Sequence, residues 1–302
     1  MRVVVALGGN ALLERSERPD AEVQEHHVGT AVDALAPIAD EHDLVVTHGN
    51  GPQVGVLANE SERDATLSRP YPFDALGAQT QGMIGYWLLQ ALENARPRRR
   101  VAALVTQTVV VESDPAFAAP AKFVGPLFDA ETARHLARER SWTLREDEAG
   151  WRRVVASPAP VDVVELPVIE ALLAGGAVVV CAGGGGVPVV RDRSGRLRGV
   201  EAVVDKDLTA ALLAGALRAD ALVILTDVDS VQAEHGTASA RPLGRVTVTD
   251  LRSMSFPPGS RGPKVEAVCR FVEATGGVGA IGRLADAPLL LAGRVGTQVE
   301  RG

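Results

Sequence analysis

Lysine is almost missing from this 302-residue chain. Of its 31 basic residues, all are arginine except Lys122, Lys206 and Lys264. Cysteine is scarce as well. Cys181 and Cys269 lie far apart, which excludes a disulfide framework and a Cys/His zinc cluster, and both sit in apolar patterns that predict buried thiols. Aromatic residues make up only 4% of the chain, whereas glycine is plentiful at 31 residues, a balance that suits an α/β protein with many tight strand-to-helix turns. No apolar run reaches membrane-spanning length. The opening "MRVVVALGGNAL" reads as a strand entering a turn rather than as a signal peptide. These features predict a cytoplasmic protein with no membrane partner. The net charge of −7 argues against nucleic acid as the main partner. It leaves room for a small phosphorylated ligand, which responds to the local field.

Two familiar phosphate-binding motifs are also missing. No Gly-Lys pair occurs anywhere, so the glycine run "GGGGVP" (183–188) is not a P-loop. Pro188 and a strand follow it instead of a helix, so it is not a dinucleotide fingerprint either.

What the chain does contain is a repeated alternation. Apolar, β-branched runs at Val3–Leu7, Leu44–Thr47, Val101–Val111, Ala177–Cys181, Ala221–Thr226 and Val278–Ile281 predict strands. Helical periodicity lies between them, near 20–40, 74–95, 162–174, 205–217, 262–275 and 284–291. Continuous strands alternating with helices imply a mostly parallel sheet covered on both faces. Two stretches break the rhythm. Within 113–160, "WTLRE" and "WRRVVA" flank the turn "DEAG" and predict a hairpin in a small inserted subdomain, about 115–157. A second hairpin is predicted around Ser194-Gly195. The run Arg96–Arg100 reads as a solvated loop rather than a binding patch.

Three glycine-rich turns follow three predicted strands: "LGGNAL" (7–12), "THGNGPQVG" (47–55) and "CAGGGGVPVV" (181–190). In a parallel sheet such turns gather along the carboxyl edge, where ligands bind. Glycine lets backbone N–H groups approach phosphate oxygens closely. One such turn is ordinary punctuation; three on one edge point to an extended anion site. His48, within the second turn, reads as a loop-shaping residue rather than a catalytic one, and His26-His27 as surface.

The lysines fit the same picture. Lys206 sits between Asp205, a candidate N-cap, and Asp207, where a helical pattern starts. Lys264 follows Gly262-Pro263 in the first turn of another helix, and Lys122 lies in the insert. A cation at a helix N-terminus opposes the macrodipole. An anion bound between the two resolves that conflict. Lysine is a mobile point charge rather than a planar fork, which suits a phosphoryl group in flight.

Read together, "VVALGGNAL", "THGNGPQVG", "GAQTQGMIGYWL" (77–88), "DPAF", "AKFVGP", "WRRVV", "GGGGVPVV", "GVEAVVDKDL", "ILTDV", "GPKVEA" and "GTQV" resemble the carbamate kinase family of the amino-acid kinase superfamily nearly end to end. The resemblance implies a three-layer αβα sandwich on a mostly parallel sheet of about eight strands, with a protruding subdomain. It implies an acceptor-binding half (about 1–180), a nucleotide-binding half (about 181–302) and a homodimer. It implies reversible phosphoryl transfer between ATP and carbamate, with ADP as co-product, Mg2+ riding on the nucleotide and a place in arginine breakdown. Carried over by position, Lys206 and Lys264 clamp the phosphoryl group and nucleotide phosphates, Lys122 serves the substrate side, and Asp207 orients the lysines. Gly8, Gly9 and Asn10 line the phosphate path, and Asn50, Gly51, Gly184 and Gly185 hold carbamate. Asp205, Thr226, Asp227 and Gly262 belong to the nucleotide side.

The chain departs from the family pattern in places. Leu7 precedes the first glycine pair where superfamily kinases with other acceptors often have lysine, as in carbamate kinases generally. Ala121, Phe123, His235 and Arg261 also differ from the common family residues. Two rival readings stay open at this level. One is another superfamily kinase with a phosphate, carboxylate or phosphonate acceptor; the other is a non-catalytic nucleotide-binding sensor or storage protein on the same fold.

Overall fold

A computed structural model describes residues 1–302 except 15–16, 97, 148–149, 235–239 and 257–261, with the side chains of Asn10 and Pro126 also outside the description. Its centre is an eight-stranded sheet. From edge to edge the strands are Arg245–Thr247, Thr297–Glu300, Val278–Arg283, Ala221–Thr226, Arg2–Leu7, Asp43–His48, Val178–Val180 and Val101–Ala103. Every neighbouring pair is parallel except Val278–Arg283 with Thr297–Glu300.

The two-residue alternation of the strands divides the core into two layers. Val4, Ala6, Val45, Val179, Leu222 and Ile224 face one way, against helices Leu166–Ala174, Lys206–Ala216 and Gly262–Thr275. Val3, Val5, Leu7, Val46, Val180 and Val223 face the other, against helices Ala21–Glu41 and Phe73–Ala95. Both faces are therefore covered, which is why these strands are apolar throughout rather than alternating. The fold is the three-layer αβα sandwich expected. No helix among the described residues is long and apolar enough to cross a membrane.

The structure corrects the predicted elements in several places. The run Val101–Val111 is not one strand. It divides into Val101–Ala103 in the main sheet and Gln107–Val110 in a second, four-stranded sheet with Val187–Arg191, Leu197–Gly199 and Pro160–Val163. The break falls at Thr106, whose backbone and hydroxyl are taken by Gln81. The helix expected over 162–174 begins at Leu166, because Pro160–Val163 pairs with that second sheet. A helix over Gly51–Arg63 was hidden behind its glycines and Pro52. His27 is half-buried rather than on the surface, and hydrogen-bonded to Glu17 at 2.6 Å. The loop after Arg96 is tied down: Arg96 pairs with Asp40, and Arg99 and Arg100 donate to the carbonyls of His42 and Gly175.

Both predicted hairpins are present, as Leu144–Asp147 with Gly150–Val155 and as Val187–Arg191 with Leu197–Gly199. The first belongs to a separate three-stranded sheet with Lys122–Phe128, which together with helix Ala130–Arg140 lies within the stretch read from the sequence as an insert. A polar latch fixes the insert to the core. Glu62, on helix Gly51–Arg63, accepts from Arg140 at 2.6 Å and from Arg153 at 3.4 Å. The Arg153 guanidinium lies 4.4 Å from the Trp142 ring centre and 4.9 Å from that of Phe73, one ring from each side of the joint.

Gly279 shows how closely the layers approach. A Cβ there would stand 2.1 Å from Val268 Cγ1 on helix Gly262–Thr275. Gly279→Ala is therefore expected to cost about 1–3 kcal/mol through overpacking. Denaturant unfolding checks this, and a loss within a few tenths of a kcal/mol contradicts it.

Candidate active site

Four neighbouring parallel strands of the main sheet end along one edge, at Thr226, Leu7, His48 and Val180. The three glycine-rich turns leave from the last three of these ends, as the sequence predicts. They touch one another. Gly8 N–H donates to the Leu225 carbonyl at 3.0 Å, and Gly49 N–H donates to the Leu7 carbonyl at 3.0 Å. A Cβ on Gly49 would stand 2.7 Å from the Gly9 nitrogen, so the first two turns can stack only with glycine there.

The third turn is held by hydroxyls. Thr106 Oγ1 accepts from the Ala182 N–H at 2.5 Å and donates to Gln81 Oε1 at 3.0 Å. The hydroxyls of Thr108 and Thr209 both donate to the Gly185 carbonyl, at 2.8 and 3.0 Å. Gly184 has φ +64°, and a Cβ on it would lie 2.2 Å from Asn50 Nδ2. Asn50 from the second turn thus rests directly on the third.

His48 is fully buried. Its Nδ1 lies 3.0 Å from the Gly49 carbonyl, which can only accept, so Nδ1 carries the proton. Burial pushes its pKa down to about 4, helped by the nearby Lys206 charge and opposed by the Gly49 bond. The ring is therefore neutral near pH 7 and occupies the space that a Cβ on Gly183 would fill. It shapes the loop, as the sequence reading has it.

The three lysines meet on two carboxylates. Lys206 Nζ donates to Asp207 Oδ1 at 2.5 Å, and Lys264 Nζ to Asp207 Oδ2 at 2.9 Å. Lys122 Nζ, arriving from the insert, donates to Asp205 Oδ2 at 2.7 Å. The other Asp205 oxygen caps helix Lys206–Ala216, accepting from the N–H groups of Asp207 and Leu208. Lys206 lays its stem over the second turn, its Cδ 3.4 Å from where a Gly49 Cβ would be. Lys206 and Lys264 side chains are each only 14% exposed, while Lys122 is 43% exposed.

The electrostatics follow from this packing. Burial depresses the Lys206 pKa, and the Lys264 charge adds to that, against the pull of Asp207. Burial alone would raise the Asp207 pKa, but the two ammonium groups outweigh it and hold the carboxylate far below its ordinary range. Three cations on two anions leave one net positive charge beside the glycine-rich turns. That surplus matches a polyanion such as phosphate.

Gly8, Gly9, Gly51, Gly184 and Gly185 lie on this edge, as do Thr226 and Asp227, where the Thr226 hydroxyl donates to Asp227 at 3.0 Å. Gly262 opens the helix that carries Lys264. The Asn10 side chain, His235, Gly236 and Arg261 lie outside the described residues. Sequence reasoning missed Thr80, Gln81, Thr106, Thr108 and Thr209. A signal existed for Thr80: it occupies the buried stripe Leu76, Thr80, Ile84, Leu88, where the period calls for an apolar residue.

An αβα sandwich with glycine turns and clustered lysines at one sheet edge defines a phosphate-handling enzyme of the kinase type. A sequence model of the amino acid kinase family matches residues 1–281, and the chain belongs to that family. Within it, the chain falls among the carbamate kinases. It is 50% identical over 300 residues to a carbamate kinase of Rhizobium meliloti, covering 98% of this chain and 92% of the relative. It is 46% identical to that of Thermococcus kodakarensis, covering 99% of each. The solved carbamate kinase from Giardia lamblia bound to AMP-PNP superposes with a TM-score of 0.92 at 37% identity, covering 100% of this chain and 98% of that one.

The buried neutral His48 predicts an acid-sensitive fold. Its folded pKa lies below the unfolded value near 6.5, so its contribution is complete above that value and is lost as pH falls towards about 4. The full loss is about 3 kcal/mol. His48→Asn, which cannot titrate, should flatten the fall in stability between pH 6.5 and 4. Equal slopes for the two proteins contradict this role.

Proposed function

We propose that this chain catalyses reversible phosphoryl transfer between ATP and carbamate, with carbamoyl phosphate and ADP on the other side. One observation carries the reading: ammonium groups from three distant segments meet on two carboxylates two residues apart, beside the glycine-lined edge. The names of its relatives supply the acceptor.

In this reading the protein supplies position and charge, with no covalent enzyme intermediate. Asn50, Gly51, Gly184 and Gly185 hold carbamate. Gly8, Gly9 and Asn10 line the path of the phosphoryl group. Asp205, Thr226, Asp227 and Gly262 attend the nucleotide. Carbamate is already an anion, so no strong base is required, and the neutral His48 sits behind the turn rather than in it. Lys206 and Lys264 neutralise the charge that builds on the equatorial and leaving oxygens. Lys122 meets the acceptor side from the insert. Asp207 keeps its two ammonium groups from drifting apart.

The family resemblance brings Mg2+ in with the nucleotide. Among the described residues no three His, Cys, Asp or Glu side chains group to hold a metal. When bound with the nucleotide, it would offset the negative charge of the phosphates. The homodimer, the cytoplasmic setting and the place in arginine breakdown rest on the family resemblance.

Lys206→Ala is expected to lower turnover by about 10²–10³ or more, since removal of one well-placed donor costs that much. Lys206→Arg should also lose at least about tenfold, because a planar fork cannot replace a point charge held in place by Asp207. ATP formed from ADP and carbamoyl phosphate is the readout. Activity of either variant near that of the wild type contradicts the role.

A further inference from the structure

Thr80 hydrogen-bonds none of the three lysines; its hydroxyl meets Asn50 instead. The hydroxyl is fully buried in helix Phe73–Ala95 and donates its one proton to the Gly77 carbonyl at 2.8 Å. That carbonyl can only accept, so the Thr80 oxygen is left as an acceptor. Asn50 must then present its amino group, and Nδ2 lies 2.8 Å from Thr80 Oγ1. A flip of the carboxamide would require the Thr80 hydroxyl to turn from the Gly77 carbonyl to Asn50 Oδ1, so its bond to Gly77 favours the orientation seen. The flat face of the amide rests on Gly184, where no Cβ intervenes, and that contact backs it on one side. The neighbouring residue, Gln81, fixes the third glycine turn through Thr106 and Ala182. Two consecutive residues of one helix therefore hold both acceptor-side turns.

The consequence lies at the other end of the amide. Asn50 is only partly buried, and its Oδ1 takes no hydrogen bond from any described residue. We infer that Thr80 is a specificity-setting positioning residue: by pinning the Asn50 amide it presents a bare acceptor oxygen to the substrate, and so selects an acceptor bearing N–H donors. The inference rests on the placement of Asn50 in the acceptor site under the proposed function. Carbamate carries an amino group where acetate carries a methyl group. An amide oxygen facing that group forms a hydrogen bond with the first and is left unpaired by the second. A site built to pair with an N–H discriminates against the analogue that lacks it. With Thr80 unable to accept, both amide orientations become available, and the wrong one sets NH2 against NH2.

Carbamoyl phosphate and acetyl phosphate differ at this one group and are the probes. Each is assayed with ADP, acetyl phosphate being read as a substrate or as a competitive inhibitor of carbamoyl phosphate. Thr80→Val removes the hydroxyl at nearly constant volume. It should lower kcat/KM for carbamoyl phosphate by about 10- to 100-fold. The apparent affinity for acetyl phosphate should change by less than about threefold, so that the preference between the two collapses. Thr80→Ser, which keeps the hydroxyl, should restore the preference. Thr80→Ala removes the same hydroxyl and is read in the same way should the valine variant fold poorly. An equal loss with both probes, or an unchanged preference, overturns the inference, because a purely structural role would move both together. Asn50→Ala separates the two levels. If it leaves carbamoyl phosphate kinetics unchanged, the acceptor-site assignment fails. If it cuts them while Thr80→Val keeps the preference, only the orienting role of Thr80 fails.

Discussion

Two carboxylates flanking Lys206 organise this molecule. Asp207 holds Lys206 and Lys264 together, and Asp205 holds Lys122 while capping the helix on which all of this stands. Two buried ammonium groups so close would repel each other and shed protons; a shared carboxylate keeps both charged. Breaking a buried network of this kind by removing one partner leaves a charge uncompensated, which costs far more than an exposed pair. The single positive charge left over is the property the site needs, because it is cancelled only when an anion arrives.

The remaining architecture serves to bring these groups to the glycine turns. Four parallel strands end side by side, so loops separated by well over a hundred residues in sequence become neighbours. The first two turns stack backbone to backbone, which requires glycine at Gly49, and the third is held by threonine hydroxyls and by Asn50. The insert contributes Lys122 at the start of its first strand, and the Glu62–Arg153–Trp142 latch ties the same small sheet to helix Gly51–Arg63. Lys122 and the latch therefore stand on the same three-stranded sheet.

Much of this was legible in the sequence, for physical reasons. The strands announce themselves because both faces are buried, and the helix at Lys206 announces itself through its aspartate cap. Lysine stood out against a background of arginine. What was hidden depended on long-range partners. Nothing near Lys122 indicates Asp205, 83 residues on, and nothing near Asn50 indicates Thr80. The run Val101–Val111 conceals its break because the Thr106-Gln107-Thr108 triplet that interrupts it still reads as strand-forming, while Thr106 leaves the sheet to meet Gln81. Helix Gly51–Arg63 was obscured because Gly55 serves close approach, against Gly125 of the insert, rather than a turn.

If Asp207 makes Lys206 and Lys264 a single unit, their contributions to catalysis cannot be independent. A double-mutant cycle on kcat/KM, with each lysine replaced by alanine singly and then together, measures that coupling directly. The account predicts that the double variant loses far less than the product of the two single losses, since either replacement alone already dismantles the pair. Losses that simply multiply would contradict it.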